Sequence, residues 1–157
     1  MGKKTGKNPT DRGKLGVKRS VLTDGAGVPI GVAVAGANVH DQKLVHETLA
    51  SIPLRRPHPT PRKKQHLCAD KGYDAEAVRR AAKRRRYVSH IPRKGEDASR
   101  PTRRRGKARR WVVERTHSWV NRARRLLIRW EKKVANYLGF LHLQFALTAL
   151  RTAGVLG

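Results

Sequence analysis

Apolar and polar positions fall into blocks of different period along the chain. VKRSVLTD (17–24) reads as a strand, and VPIGVAVAGANV (28–39), β-branched and mostly apolar, reads as a second strand lying centrally in a sheet. Asp24-Gly25 between them is a hairpin dipeptide, so the two strands should pair antiparallel. A helix is predicted from about Gln42, with Leu44, Val45 and Leu49 on one face and Asp41 as its N-cap. Pro53, Pro57, Pro59 and Pro61 break the next stretch into an exposed basic loop. HLCAD (66–70) is a short apolar strand, followed by a turn at Gly72 and a helix over 75–86 that Asp74 would cap. YVSHIP (87–92) alternates like a further strand and stops at Pro92, and residues 93–109 form a charged loop.

A long helix is expected from about Arg110 to Lys133. Val112, Thr116, Trp119, Ala123, Leu126 and Trp130 recur on it at helical spacing, as a stripe facing a core. Arg110, His117, Ser118, Asn121 and Arg125 share the opposite face with Glu114. A last helix, about 134–153, is apolar on most sides and is expected to be buried. The order is β-β-α-β-α-β-α-α, an α/β fold in which the later strands, each preceded by a helix, lie parallel. Residues 1–16, rich in Gly and Lys, read as a flexible basic arm that is either a plain tail or a DNA contact, and 17–157 as a single domain.

Charge narrows the partners. The 157 residues carry 37 Lys and Arg against 11 Asp and Glu, a formal net charge of +26. Such an excess, heaviest beyond residue 100, predicts salt-sensitive attraction to nucleic acid through its phosphates. The single cysteine, Cys68, rules out an intrachain disulfide and a cysteine-cluster zinc site, and its apolar surroundings suggest a buried thiol. The basic N-terminus lacks the apolar segment of a signal peptide, and the most apolar stretch, 134–150, is interrupted by Asn136, His142 and Gln144. The expectation is a cytoplasmic protein without a membrane span.

Within this basic chain two carboxylates stand out: Asp70, at a strand end before a glycine turn, and Glu114, in an otherwise basic helix. Hard oxygens on a strand end and a helix can hold Mg²⁺ or Mn²⁺ against substrate phosphates. Spacing alone leaves the plainer reading open, since Asp-x-Gly turns are common and a helical Glu usually makes ion pairs one turn away. His40 and His90 read as structural or surface residues, and His117, one turn from Glu114, is open equally to a structural role and to a place at the site edge or on DNA. Trp119 and Trp130 sit on the core stripe, which leaves Trp111 as the tryptophan available to stack on a base.

PTDRGKLGVKRSVLTDGAGVPIGVAVAGANVHD, CADKGYD and RRWVVERTHSWVNRARRLLIRWEK, in that order, resemble the catalytic domain of bacterial insertion-sequence transposases of the DDE superfamily, family five above all. The resemblance implies a ribonuclease-H-like mixed sheet flanked by helices, with two C-terminal helices. It further implies two divalent ions and cleavage and strand transfer of double-stranded DNA at element ends, with a homodimer by analogy. Asp70 matches the family's second catalytic Asp and Glu114 its catalytic Glu. The related signature Tyr-x2-Arg-x3-Glu-x6-Lys is met at Arg110. Lys107 stands at the tyrosine position and Asn121 at the lysine position, so Arg125, one turn on, is expected to take over the phosphate contact. The family's first catalytic Asp lies on a first strand upstream of the matched segment, and Asp11, Asp24 and Asp41 are not convincing replacements. The chain is therefore expected to be a truncated or second-frame transposase lacking that strand, with the upstream transposase segment as a candidate partner. The alternative is a catalytically inactive basic DNA-binding protein.

Overall fold

The computed structural model describes residues 4–93, 95 and 110–156. The strands are β1 (Gly6–Lys7), β2 (Leu15–Thr23), β3 (Pro29–Gly36), β4 (Gln65–Cys68) and β5 (Tyr87–His90). The helices are α1 (Asp41–Ala50), α2 (Glu76–Arg84), α3 (Arg110–Asn121), the single turn α4 (Arg124–Leu127) and α5 (Val134–Thr152), with a 3-10 turn over Lys71–Tyr73. The predicted hairpin forms, with Val17 opposite Gly36 and Val21 opposite Val32, and β4 and β5 pair in parallel. Within the stretch expected to be a mobile arm, Gly6–Lys7 pair with Leu15 and Gly16.

The strands divide into a three-stranded sheet, β1-β2-β3, and a separate pair, β4-β5, where one mixed sheet was expected. The two are joined by packing instead. Leu22 of β2 rests on the cluster formed by Val45 and Leu49 of α1, Leu67 of β4, Val78 and Ala82 of α2, and Ile91.

The hairpin is covered on both faces. On one, Ala33 and Ala35 meet Leu44 of α1. Gly31 makes the close approach possible: a Cβ there would lie 2.8 Å from the carbonyl oxygen of Thr48. On the other face Val32 and Val34 pack with Val120 of α3, Leu126 of α4, and Tyr137, Leu141 and Phe145 of α5.

The long helix predicted over 110–133 is interrupted. It ends at Asn121, Ala123 and Ile128 are extended, and α4 is a one-turn segment between them. The repeat of apolar positions is real, but tertiary contacts override it. The carbonyl of Leu126 accepts from Arg19 Nη1 at 3.3 Å and from the Tyr137 hydroxyl at 3.3 Å, which turns Leu126 into the core. Trp130, placed on the core stripe by sequence, is consequently 73 % exposed. Nor is α5 buried all round. Tyr137, Leu141, Phe145 and Thr148 form its buried stripe, whereas Phe140 and Leu143 are exposed. No helix among the described residues is long and apolar enough to cross a membrane.

Candidate functional site

Asp70 follows the C-terminal end of β4. Its Oδ1 accepts from the Gly72 amide at 2.8 Å, which caps the 3-10 turn and fixes the carboxylate while leaving it exposed. That turn is tied to α1, since Gln42 Nε2 donates to the carbonyls of Gly72 at 2.9 Å and Asp74 at 3.3 Å. Tyr73 lies between the two segments. Burial, and then the negative charges of Asp41 and Asp70, push its hydroxyl above the ordinary tyrosine value, while a hydrogen bond with Ser20 on β2 acts the other way.

Asp41 is not the N-cap expected of it. His40 occupies the capping position in an extended conformation without a side-chain cap bond, and Asp41 opens the first turn. There its carboxylate complements the helix N-terminus and pairs with Lys18 Nζ at 3.2 Å. Asp74 does not cap α2 either. Ala75 holds that position, and Asp74 pairs with Arg79 Nη2 at 2.7 Å. Cys68, expected to be buried, is exposed, because β4 alternates and turns Leu67 inward. His90 sits on the same outer face, its Nε2 2.7 Å from His66 Nδ1.

Glu114 is exposed on α3. The helix is fastened beside it to the hairpin turn, with Thr116 Oγ1 donating to the Gly27 carbonyl at 2.7 Å and Arg115 Nη2 to the Ala26 carbonyl at 2.6 Å. Gly27 has φ +89°, a conformation that favours glycine, and a Cβ there would press on Arg115 Nη2 at 3.0 Å. The anchors of the two carboxylates therefore differ. Asp70 is held beside Tyr73 and Ser20 in the middle of β2, next to the α1 terminus where Asp41 meets Lys18, and Glu114 is held beside the turn that follows β2. Both offer hard oxygens suited to Mg²⁺ or Mn²⁺. Among the described residues, however, no three of His, Cys, Asp and Glu gather into a group able to hold a metal. The donor chemistry fits such an ion, and the donor number does not.

The basic residues expected along α3 divide. Asn121 Oδ1 accepts from Arg19 Nη2 at 2.6 Å and so ties α3 to β2. His117 is half-buried nearby, and its pKa is lowered first by burial and then by the Arg19 charge. Arg125 does not continue the Glu114 face, because the helix stops before it. It pairs through Nε with Glu131 Oε1 at 2.7 Å and lies over the Phe140 ring. Lys107 and the Arg110 side chain lie outside the described residues.

Arg19 was missed from sequence, although a signal was present. In VKRSV it occupies the same face as Val17 and Val21, and a charge alternating with apolar residues on an inward face needs a partner. Arg115 was missed as well. Its guanidinium stands 4.8 Å from the Trp111 ring and 4.7 Å from the Trp119 ring.

The family described as “Transposase DDE domain” matches residues 1–149. A protein of Burkholderia cepacia named “Putative transposase for insertion sequence element IS402” is 39 % identical over 152 residues, covering 95 % of this chain and 70 % of that protein. No solved structure matches. DDE transposases as a family use divalent metal ions and act in DNA transposition, and the mixed α/β architecture is compatible with their ribonuclease-H-like fold. With the match running over nearly the whole chain, the protein belongs to the insertion-sequence DDE transposases.

Proposed function

We propose that this chain is the C-terminal part of a DDE catalytic domain that cleaves and joins insertion-sequence DNA ends once an upstream strand, carrying a third carboxylate, is added. The observation that carries this reading is the divided sheet. β2 and β4 share a core through Leu22 and Leu67, yet no strand pairing links them. β1 occupies the far edge of β2 only at Leu15 and Gly16. A strand laid along the rest of that edge and beside β4 would complete one ribonuclease-H-like sheet and bring its carboxylate beside Asp70, and until then that part of the β2 edge is open to unwanted association.

In this reading Asp70 and Glu114, together with the added carboxylate, would hold a divalent ion such as Mg²⁺ or Mn²⁺, whose chemistry is the activation of an attacking oxygen at phosphorus. Asn121 is tied to Arg19 and Arg125 to Glu131, and His117 feels the Arg19 charge, so contact of these three with DNA would compete with or add to those ties. DNA contact by Arg110 and Lys107 remains part of the proposal, as does a homodimer that holds two element ends.

The test is divalent-ion-dependent nicking of the DNA ends that flank the coding sequence. It compares the chain alone, a form extended upstream by the added strand, and the extended form with Glu114→Gln. Activity confined to the extended form and lost in Glu114→Gln is expected. DNA binding without nicking in every form would favour a basic binding protein that performs no chemistry.

A further inference from the structure

The loop between α1 and β4 closes over the end of α2 to form a cavity of about 370 Å³ lined by Arg56, Pro57, His58, Pro59, Arg84, Arg85 and Arg86. Among the described residues no acidic side chain lines it. Arg56 is held in place from two sides. Its guanidinium lies 4.0 Å from the Tyr87 ring centroid, and Nη2 donates to the Arg85 carbonyl. Its other terminal nitrogen, Nη1, is buried and has no hydrogen-bond partner among the described residues. A fixed guanidinium with one unsatisfied buried donor, in a cavity lined by three further arginines, has the chemistry to hold an anion.

Arg86 provides a second, independent observation. It has φ +58°, and its amide donates to the Lys83 carbonyl at 2.8 Å, so it ends α2 in the left-handed conformation. Glycine or asparagine is the inexpensive residue there, and an arginine is strained. Strain kept at a ligand-facing position points to use of the side chain.

We infer that this cavity seats a phosphate group of a DNA backbone and anchors the duplex at a point separate from the two carboxylates. The cavity opens where β5 begins, at Tyr87, which pairs with Gln65 at the start of β4. Asp70 lies past the other end of β4, a four-residue strand whose ends are about 10 Å apart, so the two points are well separated. The volume leaves room for the sugars on either side of the phosphate. The contact is blind to sequence and acts by fixing where the backbone lies.

This inference rests on the reading that the chain binds DNA. The test is fluorescence anisotropy with a short random-sequence duplex across a salt series, using the whole chain, Arg86→Asn, Arg56→Gln and the charge-matched control Lys43→Gln on α1. Wild-type binding is the condition on which the rest depends, and its failure would overturn the functional reading as a whole. With wild type binding, Arg86→Asn and Arg56→Gln should each weaken affinity severalfold more than Lys43→Gln and lower the salt slope by about one. Arg86→Asn should also raise the urea midpoint, a gain that separates lost ligand contact from a damaged fold. Equal losses in Arg86→Asn and Lys43→Gln would overturn the seat in favour of diffuse attraction. In a second arm, inorganic phosphate is titrated while the Arg56 side-chain nitrogen signals are followed by NMR. Shifts that the duplex abolishes are expected, and shifts that persist unchanged with duplex bound would assign the cavity to free phosphate and overturn the DNA contact.

Discussion

The two faces of the β2-β3 hairpin are built on different plans. The face toward α1 is made of small residues, Gly31, Ala33 and Ala35, and brings the helix so near that the Thr48 carbonyl occupies the space of a missing Cβ. Its buried polar groups are short and satisfied locally, with the Thr48 hydroxyl 2.8 Å from both Ser20 Oγ and the Leu44 carbonyl. The face toward α3 and α5 uses large residues, Val32, Val34, Leu141 and Phe145, and admits a full charge. There Arg19 spans from β2 to Asn121 and the Leu126 carbonyl. The first face is closed by backbone proximity and tolerates no added volume. The second is closed by side-chain bulk and a long polar tie, and loses most when volume is removed.

Substitutions that exchange the two plans should sharpen this contrast. The largest effect is expected at Leu141, which is 0 % exposed: Leu141→Ala should cost about 3 kcal/mol in urea unfolding. A cost below 1 kcal/mol would mean that this face collapses freely around a void. Next is Gly31→Ala on the other face. The added methyl would meet the Thr48 carbonyl at 2.8 Å, and the expected loss is about 2 kcal/mol through displacement of α1. An unchanged unfolding midpoint would show that α1 is not closely seated.

The smallest effect is a pH dependence at the polar insert. His117 has a folded pKa below its ordinary value of 6.5, through burial and the Arg19 charge, so protonation favours the unfolded chain. Its contribution to stability is present above pH 6.5 and is lost as pH falls through the folded value. His117→Gln should flatten the stability profile in that window. If the variant keeps the wild-type slope, the acid sensitivity belongs elsewhere, His90 being the next group with a lowered pKa.

The plan toward α1 was largely legible in sequence, because period-two alternation and a glycine-alanine-valine run announce a covered strand, and Leu44, Val45 and Leu49 announce the helix that covers it. The parallel pairing of β4 with β5 was legible for a similar reason, since a helix between two short apolar runs leaves few connections open. The plan toward α3 was not. The apolar repeat from Val112 to Trp130 is continuous at helical spacing, and nothing in it announces that Leu126 would surrender its carbonyl to Arg19 and Tyr137. For the same reason Arg125 was assigned to the face of Glu114. Asp70 and Glu114 were found as isolated carboxylates, and the motifs around them gave the family. Their anchors beside different parts of β2 depend on contacts between residues far apart in the chain, such as Thr116 with Gly27, which spacing along one segment cannot encode.

Arg115 gives the molecule a built-in optical gauge. Of the three tryptophans, Trp111 and Trp119 flank its guanidinium, while Trp130 stands in solvent. Because that guanidinium also grips the hairpin turn at Ala26, undocking α3 would change the surroundings of two indoles together and leave the third as a constant background. Intrinsic emission therefore reports the seating of the Glu114 helix directly, without a label, during any addition of DNA, metal or an upstream strand.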